Sequence, residues 1–124
     1  MPDTPPSPEP SGALPGSETG VDTTLGGYLA YHNRPPAFQG TDGHPYTVSM
    51  EVEQTPNLLA PFSGYLVFPR WAETGVGIVG HLETPVLLEE ASRGQAEASL
   101  GALTLMEVQA LLEEAIQRQR QEND

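Results

Sequence analysis

Tyr46-Thr47-Val48-Ser49-Met50-Glu51-Val52-Glu53 is the stretch that decides the fold. Tyr46, Val48, Met50 and Val52 fall on one side of an extended chain, and Thr47, Ser49, Glu51 and Glu53 on the other. So strict a period of two predicts a strand in a sheet with one buried face and one wet face. Just upstream, Asp42-Gly43 is turn chemistry, because a two-residue hairpin turn needs positive φ at both central positions. A preceding strand is therefore expected over about 37–41, with Pro45 opposite Gly40. A proline at that place requires an edge or a bulge.

Working outward, Gly27-Tyr28-Leu29-Ala30-Tyr31-His32 reads as a further strand, bent at Pro35-Pro36. Gly64-Tyr65-Leu66-Val67-Phe68 is apolar on both faces, which suits a central strand, and Pro69 is expected to end it. Val76 to Leu82 reads as the next strand, and Val86-Leu87-Leu88 as a short last one. The final third changes period. Leu105, Val108, Leu111, Leu112, Ala115 and Ile116 form one apolar stripe at helical spacing, predicting a helix over about 105–120. Thr104 and Glu107 have the spacing of a capping box. Glu114 is placed to pair with Arg118 one turn on. A shorter helix, capped by Ser92 and stopped by Gly101, is expected before it. Strands first and helices last predict an α+β fold: an antiparallel sheet of about four or five strands, covered on one face by the C-terminal helical segment.

The chain has 124 residues, with 17 acidic and 5 basic side chains and a net charge of −12. All the basic residues are arginines: Arg34, Arg70, Arg93, Arg118 and Arg120. Residues 1–25 differ from the rest. Prolines stand at positions 2, 5, 6, 8, 10 and 15, and Asp3, Glu9, Glu18 and Asp22 have no base beside them. Such a segment cannot bury enough apolar surface to offset its ordering entropy, so a disordered acidic arm is expected, followed by a single domain over 26–124. Its Pro2/Pro5 and Pro5/Pro8 spacings lack the flanking base that would orient a docking groove.

Composition excludes several classes. Without cysteine there is no disulfide scaffold, thiolate metal site or Cys nucleophile. Nucleic acid and anionic membrane surfaces would both repel this charge. The first residues have no positive n-region or apolar h-region, and no apolar run is long enough to span a bilayer, so a cytoplasmic location is expected.

Each catalytic-looking pattern has a plainer reading. Gly75-Val76-Gly77-Ile78-Val79-Gly80 matches GxGxxG, but β-branched residues fill it and Pro85 would break the helix a dinucleotide site requires. His32, His44 and His81 are not paired at ligand spacing, and no metal or other cofactor is expected. Glu51 and Glu53 share a strand face, which a solvated sheet surface explains without general acid–base work. Pro69-Arg70-Trp71-Ala72-Glu73 and Tyr31-His32-Asn33-Arg34-Pro35-Pro36 each combine an aromatic with a scarce cation, as binding hot spots do. The competing account has Trp71 capping the core and Arg70 answering Glu73.

These observations lead to an expectation of a non-enzymatic protein-interaction module whose surface centres on Tyr31, Arg34, Arg70 and Trp71. The expected partner is another protein, or a second copy through the C-terminal helix. The rival expectation is a small anionic ligand, bound or turned over in the cleft between sheet and helix with Arg34 or Arg70 as its clamp.

Overall fold

The computed structural model describes residues 23–123. In chain order the elements are α1 (Leu25–His32), β1 (Phe38–Gln39), β2 (Pro45–Tyr46), β3 (Ser49–Gln54), β4 (Phe62–Trp71), β5 (Ile78–Glu83), β6 (Leu88–Glu90), α2 (Arg93–Gly101) and α3 (Leu105–Asn123). They build a six-stranded antiparallel sheet and three helices, an α+β fold.

β4 is the spine of the sheet. β2 and β3 pair along one of its edges, β5 and β6 along the other, and β1 lies outside β2. The expected 46–53 strand is present with its alternation intact: Tyr46 and Val48 are buried, and Met50 and Val52 pack against the same core. It is interrupted at 47–48, although Tyr46↔Arg70 and Ser49↔Val67 keep one register. Pro69 explains the gap. Its carbonyl accepts from the Thr47 N–H at 3.2 Å, but it has no N–H to return. Nor does Pro69 end the strand, as expected from sequence; β4 continues to Trp71 because its other neighbours hold it.

The hairpin before β2 also differs from expectation. Gly43 N–H donates to the Gly40 carbonyl and Gly40 N–H to the His44 carbonyl, with Gly43 at φ 88°. That is a turn followed by a left-handed glycine, a three-residue loop rather than a two-residue one. The register moves by one, and Pro45 faces Gln39 instead of Gly40.

The largest correction is at residues 27–32, which are helix and not strand. Thr24 Oγ1 accepts the Gly27 N–H at 3.0 Å, and Asn33, at φ 55°, donates its N–H to the Leu29 carbonyl to close the last turn. Leu25 is fully buried and Leu29, one turn on, packs against the same core, so the apolar signal is an i, i+4 pair on one helix face. Gly26 is needed for packing: a Cβ there would lie 3.1 Å from the Cα and oxygen of Gly101 on α2. Residues 23–25, assigned to the arm on sequence grounds, belong to this folded unit. Leu25 N–H donates to the Leu103 carbonyl and Leu105 N–H to the Thr23 carbonyl. The remainder of the expected arm lies outside the described residues.

α2 and α3 follow their caps. Ser92 accepts the Gln95 N–H at 3.1 Å. Thr104 and Glu107 exchange backbone-to-side-chain bonds at 2.8 and 3.0 Å, a complete capping box. Val108, Leu112, Ala115 and Ile116 seal against Leu66, Phe68 and Tyr46 on the sheet. Glu114 and Arg118 do not come within ion-pair distance. All three helices contribute to this one core, so one sheet face is covered and the alternate face is left open.

Candidate functional site

Arg70 and Trp71 are consecutive in β4, so they leave the strand toward opposite faces. Arg70 follows Leu66 and Phe68 onto the covered face, where Tyr46 stands opposite it. The hairpin loop places Asp42 beside it. The carboxylate accepts the His44 N–H at 3.1 Å and the Tyr46 hydroxyl at 2.6 Å, and lies 3.4 Å from Arg70 Nε. Asp42 is therefore both the turn residue read from sequence and the counterion of Arg70; Glu73 is not.

The electrostatics follow from this cage. Burial pushes the Asp42 carboxyl upward, but the Tyr46 hydroxyl, the His44 amide and the Arg70 charge outweigh it, leaving the group below its usual value. Burial, then the bond to Asp42, raises the Tyr46 phenol. Arg70 Nε is buried without a hydrogen-bond partner, since its approach to Asp42 is an ion pair and not a formed bond. Thr41 ties the loop to α3 through Glu113 at 2.6 Å.

Trp71 leaves β4 on the open face. Its indole N–H donates to Thr47 Oγ1 at 3.1 Å, and its carbonyl accepts from His44 Nδ1 at 2.9 Å, which fixes the protonated nitrogen of that ring. His44 Nε2 lies 3.7 Å from Glu73. The ring is half-buried, neither a core plug nor a free flag. Against it lies a groove of about 240 Å³ lined by Ala37, Pro45, Tyr46, Thr47, Trp71 and Gly75, mostly apolar. This is smaller than the roughly 300–1,000 Å³ of sites that enclose a drug-sized ligand.

The 75–80 motif forms the adjoining hairpin. Gly75 and Gly77 take φ of 82° and 85° in the β4–β5 turn, Ala72 N–H donates to the Gly77 carbonyl, and β5 follows rather than a helix. No phosphate cradle results. Instead Val76, Ile78 and Val79 are 78%, 59% and 55% exposed, with Ile78 opposite Trp71 in the β4–β5 register. Sequence reading missed this cluster because it took the run as an ordinary strand. Its signal is three β-branched residues spaced by glycines too open to shield them.

Tyr31, on the last turn of α1, is 69% exposed and meets His32 edge-on at 4.9 Å. Arg34 is exposed just past the helix cap. Among the described residues, no hydrogen bond, ion pair or ring contact joins either to Arg70 or Trp71. The histidines sit apart, on α1, the β1–β2 loop and β5, and no group of three or more His, Asp or Glu among the described residues could hold a metal. Glu51 accepts from Ser49 at 2.6 Å and Glu53 from Tyr65 at 2.8 Å. No helix among the described residues is long and apolar enough to cross a membrane. Comparison with family models, with curated proteins and with solved structures returned no match.

Proposed function

We infer that this chain is a non-enzymatic interaction module, acting in the cytoplasm, that docks on another protein through the open sheet face at its Trp71 end. The observation that carries the reading is the exposed Val76, Ile78 and Val79 tip beside a half-buried indole and a preformed apolar groove. An apolar patch flanked by Trp and polar groups is how interface cores are composed. The groove accepts one side chain better than it accepts a metabolite. The anion-clamp reading has less support, because Arg70 is already answered by Asp42 and the middle of the sheet–helix contact is filled by Leu66, Phe68, Leu100 and Leu112, while the cleft of about 210 Å³ between β5 and α3 is lined by Glu83, Glu122 and Arg118 and not by Arg34 or Arg70. Self-association through the α3 stripe has less support for the same reason: the stripe is spent on the chain's own core.

Affinity capture from cells of the source organism tests this, with wild type and Ile78→Asp as baits. Ile78 is exposed, so the variant's melt should stay within about 0.5 kcal/mol of wild type. A protein held by wild type and lost by the variant supports the reading; an identical retained set overturns it. Trp71→Ala should weaken the same complex by about 1–4 kcal/mol, as hot-spot truncations do. A thermal-shift screen against metabolite anions that raised the melting temperature in an Arg70-dependent way would favour the rival instead.

A further inference from the structure

We propose that the open sheet face receives an extended segment of a partner protein that carries arginines at alternate positions. The inference rests on the docking reading above and names the chemistry of its partner. The face is set by register: Glu51 pairs with Tyr65, and Val67 lies between Ser49 and Glu83, so these side chains alternate with the buried Leu66 and Phe68 and share the other side of the sheet. Three carboxylates, Glu51, Glu53 and Glu83, thus surround one phenol and one valine, and Trp71 with its apolar tip closes the end of the same face.

Among the described residues no arginine forms an ion pair with Glu51, Glu53 or Glu83. Arg70 is bound to Asp42 on the covered side. Arg93 lies 5.4 Å from the centre of the Phe62 ring and donates to the Val52 carbonyl. Arg34 follows α1 and Arg120 belongs to α3, while Arg118, also on α3, lines a cleft with His81 and Glu83 at the β5 edge without forming an ion pair with that glutamate. Among the described residues the face has one ion pair, His81 with Glu83 at 3.4 Å. Glu51 and Glu53 are served by hydroxyls of Ser49 and Tyr65 and retain acceptor capacity for cations. The bond from Tyr65 to Glu53, with burial and the fields of Glu53, Glu83 and Glu51, pushes that phenol up to about 12, so the ring stays protonated and uncharged at neutral pH.

The spacing selects the form of the partner. Glu51 and Glu53 are two residues apart on one strand, hence about 7 Å apart. An extended segment presents its alternate side chains at that same interval. Arginine suits the face better than lysine, because its planar fork can meet a carboxylate while its flat side stacks on Tyr65 or Trp71. Apolar residues of the segment then reach Val67 and the tip around Ile78.

The probe is a short synthetic peptide alternating arginine and valine, titrated into the full chain while backbone amide shifts are followed by NMR; a glutamate–valine peptide is the control. The expected result is a set of shifts concentrated at Glu51, Tyr65, Val67 and Glu83. The Glu51→Gln/Glu53→Gln variant should weaken binding at least about tenfold, and Glu97→Gln/Glu114→Gln, which removes as many charges from exposed helix positions, less than about twofold. No binding at about 1 mM peptide, or equal weakening by both variants, overturns the proposal, the second by showing diffuse attraction to an acidic chain. Failure of the peptide with Ile78-dependent capture intact removes this proposal alone. Capture that ignores Ile78 removes the docking reading beneath it.

Discussion

Leu112→Ala removes a side chain at the centre of the contact between α3 and the sheet. Leu112 is 0% exposed and shares its core with Leu66, Phe68, Val108 and Ile116. Three carbons lost from a fully dry site cost about 2.4 kcal/mol at roughly 0.8 kcal/mol per methylene. The void adds to that, since the helix is not free to sink into it. Its first turn is fastened by the Thr104–Glu107 capping box, and Glu113, next to the substituted residue, is bonded to Thr41. A residual cavity of roughly 50 Å³ adds about 1.2 kcal/mol. The expected loss is therefore about 3–4 kcal/mol. With a urea slope of about 1–2 kcal/mol/M, the midpoint falls by roughly 1.5–4 M. Leu111→Ala, on the half-buried flank, should cost about 1 kcal/mol. A Leu112→Ala loss under about 1 kcal/mol at unchanged slope would refute the packing described here. A wild-type midpoint that moved with protein concentration would assign the stripe to an interface between chains.

Asp42, held below its usual value in the fold, contributes stability that is present above the ordinary carboxylate pKa and lost as pH falls through the lower folded one; urea midpoints of wild type and Asp42→Asn should therefore converge below about pH 4. Gly26→Val drives a branched side chain against the Gly101 backbone and should cost about 1–3 kcal/mol by thermal or urea melt, whereas a neutral variant would mean that α1 and α2 are not held that close. In an alkaline difference titration of wild type against Tyr65→Phe, the lost phenol should ionise near pH 12, and Glu53→Gln should bring that transition down toward the usual tyrosine range.

The parts of the fold that are legible in sequence are those whose signal is repeated along one element. The 46–53 alternation, the apolar β4 run and the α3 stripe each offer several residues in phase, and the Ser92 and Thr104 caps mark where helices begin. α1 is one pair, Leu25 and Leu29, with two glycines between them that read as strand punctuation. Its reason to exist is Gly101, more than seventy residues on, which no local pattern contains. The same distance hides the site. Asp42 is recognisable as a turn residue, but its ion pair with Arg70 appears only once β2 is laid against β4. Arg70 and Trp71 were readable as a pair worth attention; that they face opposite sides of the sheet, so that the arginine is occupied and the indole is offered, follows from the strand running on through Pro69.

Trp71 is the only tryptophan in the chain, so its fluorescence reports the proposed docking surface directly. Iodide quenching, measured on the free protein and again with saturating arginine–valine peptide or with a partner retained by capture, tests the central claim. The account predicts a half-accessible indole that iodide quenches in the free protein and that becomes protected, with a blue-shifted maximum, in the complex. An indole already inaccessible in the free protein, or one whose quenching is the same with and without the bound partner, would contradict it.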